Sequence, residues 1–306
     1  MRVKRDLTSA PGGPVALTIG NFDGVHRGHQ AMLARLIEAA EDLRLPPAVL
    51  TFDPHPREFF SPSNAPPRLS TLRSKLALFR AYGVATTFVA RFDARLASRT
   101  ADEFVRGILE NQLHTHWLLV GEDFRFGRGR TGDLAFLRSA AREFSVEAMG
   151  TIGVDGQRVS STAVRNALAA GDLVLAAALL GRNYTLTGHV AHGDKIGRSL
   201  GFPTMNLPLR HPPAMTGIFA VRVHGVGNMP RTGVASVGVR PTLRAGGKPI
   251  AEVFLFDFDQ STYGRRITVE FLHKLRDEAR FPDLDALRQQ MMRDVVDARD
   301  HFAAKR

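Results

Sequence analysis

From residue 15 to about residue 180, short apolar runs alternate with segments whose apolar residues recur at helical spacing. Residues 15–19 form a largely apolar run typical of a buried strand, and residues 30–43 place Met32, Leu33 and Leu36 on one helical face. The alternation predicts βαβ units, and therefore a Rossmann-like, doubly wound parallel sheet with helices on both faces. The predicted strands are 15–19, 48–52, 84–90, 117–120 and 146–149, and the predicted helices are 29–43, 73–82, 101–112, 133–143, 161–170 and 172–180.

The pattern changes after Gly181, where short apolar runs are separated by turns rich in glycine and proline. Strands at this spacing predict an antiparallel barrel or sandwich. One amphipathic helix near the end of the chain is expected to cover it, with Leu284, Leu287, Met291, Val295 and Ala298 on its apolar face. The strands predicted here are 184–191, 217–223, 233–237, 250–257 and 266–272. We therefore predict two domains, 1–182 and 183–306.

Composition supports two ordinary globular domains. The chain has 306 residues, of which 44% are hydrophobic, and no stretch approaches the roughly 20 apolar residues of a membrane helix. Its first residues lack the apolar core of a secretory signal. The absence of cysteine excludes disulfides, thiolate catalysis and cysteine-based zinc sites. We expect a cytoplasmic protein that does not act on membranes.

The net charge of +11 comes from 41 Lys and Arg against 30 Asp and Glu. Such an excess can indicate nucleic acid, an anionic membrane or a phosphorylated small molecule. The basic residues are scattered, however, without a Lys/Arg block or the interleaved aromatic residues of single-strand binders. Solubility or an arginine-rich genome accounts for a diffuse excess more simply, so we expect no nucleic-acid partner.

The strongest candidate for chemistry is G-N-F-D-G-V-H-R-G-H at 20–29, directly after the first predicted strand. It places His26 and His29 at the N-terminus of a helix, where free backbone N–H groups and the helix dipole favour an anion. The two imidazoles add directed donors, which suits a polyphosphate whose charge grows during reaction. A metal pair is the alternative, but metalloprotease histidines are spaced by four with a glutamate between them, and Arg27 and Gly28 stand here.

Three further motifs follow in the first domain: T-F-D-P-H-P at 51–56, G-E-D-F-R-F-G at 121–127 and S-S-T-A-V-R at 160–165. In the last, Ser161 and Thr162 can cap a helix and offer hydroxyls to phosphate, and Arg165 one turn later can bind phosphate. Residues 127–132 match G-x-G-x-x-G. They do not connect a strand directly to a helix, so we interpret them as a basic loop.

The second domain carries a glycine-rich segment at 188–206, with Lys195 and Arg198 among its glycines. Such a loop can bring backbone N–H groups onto phosphate, although no G-x-x-x-x-G-K-[ST] motif occurs in the chain. Thr204 and Asn206, in the segment F-P-T-M-N, offer a hydroxyl and an amide suited to Mg²⁺ and to phosphate oxygens.

The four motifs of the first domain, in this order, resemble those of the nucleotidyltransferase superfamily. Residues 15–182 are similar to the FAD synthetase module of bacterial bifunctional riboflavin kinase/FAD synthetases. The resemblance implies that His26 and His29 hold ATP phosphates and stabilise charge at the α-phosphorus while FMN attacks. The other residues it implies for ATP or phosphate binding in this module are Gly20, Asn21, Phe22, Asp23, Gly28, Asp123, Ser161, Thr162 and Arg165.

Residues 183–306 resemble the riboflavin kinase domain. The motifs that carry this resemblance are G-x-x-x-G-R-x-L-G-F-P-T-x-N, residues 233–242, Glu252, Tyr263-Gly264 and L-R-D-E at 275–278. The resemblance implies that Glu252 is the general base for the ribityl 5′-hydroxyl, although a strand carboxylate in isolation would be interpreted as solvent-facing. It implies that Thr204 and Asn206 hold Mg²⁺ and ATP. The phosphate-loop residues that it implies are Gly193, Lys195, Gly197 and Arg198.

The chain departs from the family pattern at three positions. Met205 stands where alanine is usual, Asn183 replaces the proline of G-R-P, and Ser236 replaces a more common asparagine. The larger side chain of Met205 must find room, so we expect an effect on affinity.

Together the resemblances imply that riboflavin and ATP give FMN in the barrel, and that FMN and ATP give FAD and pyrophosphate in the α/β domain. Both steps are expected to need Mg²⁺, and the partners are small molecules; the sequence leaves the oligomeric state open. Two alternatives remain at this point. Only one module is active, with the kinase in greater doubt because of Met205, or the chain is a flavin-binding nucleic-acid or regulatory protein.

Overall fold

The structure is a computed structural model that describes residues 1–5, 7, 13–154, 156–193, 200–239 and 249–304. It divides into two compact units. The first unit comprises Met1–Pro66 and Ser70–Ser160, and the second comprises Pro67–Leu69 and Ser161–Arg306.

The first unit is built on a parallel six-stranded sheet in the order β1-β4-β3-β2-β5-β6. Its strands are β1 Arg2–Lys4, β2 Val15–Ile19, β3 Pro47–Phe52, β4 Thr86–Ala90, β5 Thr115–Gly121 and β6 Ser145–Met149, and a hairpin of β7 Gly153–Val154 and β8 Gln157–Arg158 follows. Its helices are α1 Arg27–Asp42, α2 Pro56–Phe60, α3 Leu72–Ala81, α4 Ala94–Ala97, α5 Ala101–Glu103 (continuing as a π-helix over Phe104–Glu110) and α6 Leu134–Ala140, with 3₁₀ turns at Pro62–Asn64 and Arg128–Arg130.

Helices cover both faces of this sheet because alternate residues of its buried strands point to opposite sides. On one face Leu17 packs with the helix that contains Ile108, and on the other Ala16 packs with Leu33 of α1 and Phe79 of α3. The predicted doubly wound α/β fold is confirmed. Strand β1 was missed, because three residues of mixed polarity at the edge of the sheet carry no periodic signal.

The second unit begins with α7 Ser161–Ala170 and α8 Leu173–Leu180 and continues into an antiparallel sheet. The strand order is β10-β13-β12-β11-β14-β9, and a bridge between Ala191 and Asn206 brings the ends of the sheet together into a nearly closed barrel. Its strands are β9 Thr185–His189, β10 Thr204–Pro208, β11 Gly217–His224, β12 Arg231–Val239, β13 Pro249–Leu255 and β14 Arg266–Arg276. Of the two predicted alternatives, the barrel is confirmed. Strand β10 was missed because its P-T-M-N segment was interpreted as loop.

The closing helix, α9 Leu284–Ala303, packs on the barrel through Val295 and Ala298, as predicted. The predicted apolar face was wrong at Leu284, which is 59% exposed. It also omitted Asp294, which is buried because both of its carboxylate oxygens accept from Arg276, each at 2.7 Å. A bidentate pair of this kind lets a charged side chain lie on a buried helix face.

The predicted domain boundary at 182/183 stays a prediction. Helices α7 and α8 precede that boundary in the sequence and lie in the second compact unit.

Candidate active sites

A pocket of about 850 Å³ opens at the carboxyl ends of the parallel strands in the first unit. The order of strands reverses between β2 and β5, and doubly wound sheets bind ligands at such a switch point. Residues at or just after the carboxyl ends of β2, β3, β4 and β5 line the pocket, among them Gly20, Asn21, Phe52, Phe92 and Asp123. Residues from the motifs at 20–29, 51–56 and 121–127 therefore line one pocket, at the sheet edge where these motifs were predicted to lie.

The turn between β2 and α1 holds two non-glycine residues in left-handed backbone conformation, Phe22 with φ 49° and Val25 with φ 44°. Such a conformation costs on the order of 1–3 kcal/mol per residue and persists where surrounding contacts enforce it. The Val25 N–H donates to the Phe22 carbonyl at 3.2 Å, and Gln30 Nε2 donates to the Val25 carbonyl at 2.9 Å. Gly20 completes the turn, since a Cβ atom there would lie 3.1 Å from the Phe22 ring.

The two predicted histidines lie stacked at the start of α1, with ring centroids 3.6 Å apart and planes inclined by 15°. His26 is the N-cap residue, and its Nδ1 accepts from the His29 backbone N–H at 3.3 Å. Gly28 leaves room for this arrangement, because a Cβ atom there would lie 3.3 Å from the His26 ring. The glycine of H-R-G-H thus allows His26 to cap the helix.

The electrostatics of this pair favour an uncharged His29 ring in the free protein. Burial, then His26 and then Lys75 hold the pKa of His29 well below its ordinary value. The Nδ1 atom of His29 is buried and has no hydrogen-bond partner in the described part of the chain. An anion bound here would favour protonation of His29, which can then donate to it.

The structure gives different positions to the three residues after Gly20. The Oδ1 atom of Asn21 is buried and has no hydrogen-bond partner among the described residues, so it can accept from a ligand. Phe22 is fully buried and packs edge-on against Phe79. Asp23 is also buried, and it accepts from the Ser70 N–H at 3.1 Å and the Ser70 hydroxyl at 3.3 Å. In this structure the buried side chains of Phe22 and Asp23 therefore stabilise the β2–α1 turn.

The segment after β5 forms another wall of the pocket. Asp123 lines it and forms an exposed ion pair with Arg158 of the β7–β8 hairpin at 2.6 Å. Arg125 also lines the pocket and pairs with Asp133 at 3.2 Å.

Ser161, Thr162 and Arg165 lie at the start of α7, in the second unit. Arg165 Nε donates to the carbonyl of Pro67 at 2.7 Å, within that unit. Their predicted role in binding phosphate stays a prediction.

The kinase residues predicted from the barrel lie on neighbouring strands. Asn206 of β10 pairs directly opposite Glu252 of β13, and Ser236 of β12 lies opposite Glu252 on the other side. Opposite residues of an antiparallel pair share a face of the sheet, as do residues two apart on one strand. Thr204, Asn206 and Glu252 therefore present oxygen atoms on one face.

The glycine-rich segment approaches this face closely. A Cβ atom at Gly193 would overlap the side-chain amide of Asn206, so only a glycine allows the backbone to pass there. The remaining predicted phosphate-loop residues, Lys195, Gly197 and Arg198, lie outside the described residues, as do 240–242 of the second kinase motif.

Met205 does not crowd the oxygen-bearing face. It lies opposite Val253, which is fully buried, and Met205 itself is only 7% exposed. Successive residues of a strand point to opposite faces, so the Met205 side chain packs into the barrel interior while Thr204 and Asn206 face away from it. The side chain therefore finds its room in the barrel interior, and the expected effect on affinity stays a prediction.

Comparison with known proteins decides the family. The chain is 45% identical over 300 residues to the bifunctional riboflavin kinase/FMN adenylyltransferase of Escherichia coli (strain K12), covering 97% of this chain and 96% of that one. It is 49% identical over 285 residues to the protein of the same name from Pseudomonas fluorescens, covering 92% and 91%. The chain belongs to the bifunctional riboflavin kinase/FMN adenylyltransferases. The homologue from Haemophilus influenzae agrees, at 46% identity over 94% of both chains.

Two family models match separate parts of this riboflavin kinase/FMN adenylyltransferase family member. The FAD synthetase model covers residues 10–163, and the riboflavin kinase model covers residues 180–302. The histidine pair lies in the first region, and Thr204, Asn206 and Glu252 lie in the second.

A crystal structure described as a macrolide-efflux protein from Streptococcus pneumoniae shares the fold. It aligns with a TM-score of 0.79 and 27% identity over 95% of this chain and 96% of that one. Within the ranges that the structure describes, we find no helix with the length and apolar character needed to cross a membrane.

Sequence reasoning missed two residues that hold the first site together, Ser70 and Lys75. They lie 46 and 54 residues from the backbone groups of the β2–α1 turn that they contact. Lys75 lies on the apolar face of the predicted helix 73–82. A lysine among apolar residues at helical spacing was the sequence signal that could have indicated it.

Proposed function

We propose that this chain catalyses both steps of flavin cofactor synthesis, the phosphorylation of riboflavin to FMN and the adenylylation of FMN to FAD. The observation that carries the proposal is the presence of two distinct constellations in the two matched regions. One is a stacked histidine pair at a helix N-terminus, and the other is a carboxylate paired in register with an amide.

In the kinase step, Glu252 takes the proton of the ribityl 5′-hydroxyl as that oxygen attacks the γ-phosphorus of ATP. The new oxygen–phosphorus bond forms while the bond to the β-phosphate oxygen breaks, and ADP leaves. Phosphoryl transfer depends mainly on positioning and charge neutralisation. The backbone of Gly193 lies against the side chain of Asn206, so its N–H group is suited to hold the transferred phosphate.

Mg²⁺ fits the donors of the barrel face. The Thr204 hydroxyl and the Asn206 amide oxygen are hard oxygen ligands on this face, and Mg²⁺ binds few protein ligands together with substrate phosphates. Consistent with this mode, the described residues include no group of three or more His, Cys, Asp or Glu that could hold a metal alone. When bound, the ion supplies neutralisation of phosphate charge.

In the adenylyl-transfer step, a phosphate oxygen of FMN attacks the α-phosphorus of ATP and pyrophosphate leaves, without a covalent protein intermediate. His26 and His29 would donate to the phosphate oxygens as charge develops, beside the N–H groups of α1. The buried Oδ1 atom of Asn21 is suited to accept from a donor of the adenosine group.

The flavin is proposed to occupy the pocket of the first unit. Its volume of about 850 Å³ lies within the range of roughly 300–1,000 Å³ that small-molecule sites show. Aromatic side chains for stacking the ring system line it, namely Phe52, Phe60, Phe92 and Phe126.

For the division of labour we propose a functional boundary at 182/183. The S-S-T-A-V-R motif lies before it, and the riboflavin kinase model begins at residue 180. We also propose a cytoplasmic location and small-molecule partners alone, which the absence of cysteine and the nature of the substrates support.

Chromatography of riboflavin incubated with the protein, ATP and MgCl₂ tests the proposal directly. We expect FMN to appear first and then to give way to FAD. FMN without FAD would confine activity to the barrel, whereas FAD made only from supplied FMN would confine it to the first unit. If neither flavin is converted, the proposal fails and a flavin-binding protein becomes the better account.

A further inference from the structure

Lys75 of α3 is a buried lysine, only 7% exposed, to which the adenylyl-transfer mechanism gives no role. Lysine is almost never buried so completely unless its ammonium group is well paired, because taking the charge out of water is costly. The burial of the Lys75 charge beside the proposed ATP site therefore needs a physical explanation.

The ammonium group joins three elements around the site. Its Nζ donates to the backbone carbonyl of Asn21 at 2.5 Å and to the hydroxyl of Thr51 at 3.3 Å. Thr51 is itself fully buried, and its hydroxyl donates to the same Asn21 carbonyl at 3.3 Å. Lys75 thus ties α3 and the end of β3 to the strained turn after β2.

Asn21, whose carbonyl accepts from Lys75, also carries a buried Oδ1 atom that has no hydrogen-bond partner among the described residues. Holding the carbonyl fixes the peptide plane at Asn21 and so limits where its side chain can lie. The same turn continues through Phe22, whose ring contacts that of His29 at 4.9 Å between centroids.

The charge of Lys75 also acts on His29. The groups that lower the pKa of this imidazole besides burial are His26, which stacks on it, and Lys75. A fixed cation beneath the turn therefore helps to keep His29 uncharged until a polyphosphate enters the site.

We propose that Lys75 is a positioning residue of the adenylyl-transfer site, which holds the Asn21 carbonyl so that the amide of Asn21 and the imidazole of His29 meet ATP in a fixed geometry. The inference rests on the proposed role of His29. It assigns Lys75 no contact with ATP, FMN or the reacting atoms.

The test compares Lys75→Met and Lys75→Arg in the full chain, with Lys4→Met on the outer strand β1 as the matched control. Loss of a hydrogen-bonded charge is expected to raise the KM for ATP in FAD formation from FMN by about tenfold to a hundredfold in Lys75→Met. We expect Lys75→Arg to restore part of the loss and Lys4→Met to change nothing. FMN formation from riboflavin should stay within about twofold in all three, because the kinase site has its own residues.

A second readout separates positioning from a general structural role. In Lys75→Met the pKa of His29, followed by NMR and assigned by the signal that His29→Ala lacks, should rise because a neighbouring positive charge has gone. An unchanged KM for ATP together with an unchanged His29 titration would overturn the inference.

Thr51→Val provides the test if Lys75→Met fails to fold, since it removes the hydroxyl while keeping the shape of the side chain. It should raise the KM for ATP by about threefold to tenfold, and an unchanged KM would count against the inference. If His29→Ala also left FAD formation intact, the proposed site itself would be wrong. Loss of activity in His29→Ala with no effect at Lys75 or Thr51 would overturn only the positioning role.

Discussion

The two proposed active sites rest on opposite kinds of local structure. In the first unit, the histidine pair lies on a turn and a helix N-terminus at the end of a parallel strand, and two non-glycine residues of that turn have positive φ. In the barrel, Asn206 and Glu252 lie within regular strands, and the register of β10 and β13 brings them together. The first site depends on an enforced local conformation, whereas the second depends on the pairing of segments distant in sequence.

This difference predicts which changes each site tolerates. A turn with positive φ is held by a few hydrogen bonds. Activity at the first site should therefore be sensitive to substitution of buried residues that contact the turn but do not contact the substrate. A site on paired strands has its geometry fixed by the ladder, so its sensitivity should concentrate in the few side chains that carry the chemistry.

Glu252→Gln should give the largest effect on the barrel site. It keeps the size of the side chain but removes the base, and general-base catalysis contributes about 10²–10⁴ in rate. We expect FMN formation from riboflavin to fall by that factor, while FAD formation from supplied FMN stays within about twofold. Retained kinase turnover would show that another group takes the proton.

Asp294→Ala should weaken the barrel without touching its proposed chemistry. The substitution leaves Arg276 charged and only 22% exposed at its side chain, and breaking a buried pair costs about 3–5 kcal/mol in the free energy of unfolding. Asp297→Ala, an exposed position on the same helix, is the matched control and should cost less than about 0.5 kcal/mol.

Trp117, the only tryptophan of the chain, lies in the first unit and reports unfolding there. We therefore expect Asp294→Ala to move the circular-dichroism transition in urea to lower concentration while the Trp117 fluorescence transition stays in place. Equal shifts of both signals would contradict the contrast between the two units.

His29→Ala should affect the first site alone. Loss of one donor that stabilises developing charge costs about 10²–10³ in rate, so FAD formation from FMN should fall by that factor. FMN formation from riboflavin should continue, as measured in the same chromatographic assay. Parallel loss of both products in a folded variant would argue against two separate sites.

The pH dependence of ATP binding should show the smallest effect. His29 has a pKa well below its ordinary value in the free protein, and a bound polyphosphate raises it, so ATP-bound protein takes up protons as the pH falls. The KM for ATP in FAD formation should therefore decrease as the pH falls toward and below the ordinary pKa of histidine, and by more in the native chain than in His29→Ala. An identical profile in both would show that His29 does not exchange a proton on binding.

The same contrast explains what the sequence could predict. The β2–α1 turn is contiguous, so its strand, glycines and histidines could be placed at a helix N-terminus from spacing alone. The contacts that Ser70 and Lys75 make with this turn could not be predicted, because a contact between distant segments leaves no local pattern; the sequence shows only that Lys75 interrupts an apolar helical face. The opposition of Asn206 and Glu252 and the inward direction of Met205 both depend on strand β10, which was missed. The amide of Asn206 could be proposed from its chemistry, whereas only the family resemblance indicated Glu252.

The most direct test of two separate sites is a mixing experiment with His29→Ala and Glu252→Gln, each supplied with riboflavin, ATP and MgCl₂. We predict that His29→Ala alone stops at FMN and that Glu252→Gln alone leaves riboflavin unchanged. The two variants together should form FAD, because FMN released by one can be adenylylated by the other. If the mixture accumulates FMN without FAD, or if either variant alone forms FAD from riboflavin at the native rate, the assignment of one reaction to each site is contradicted.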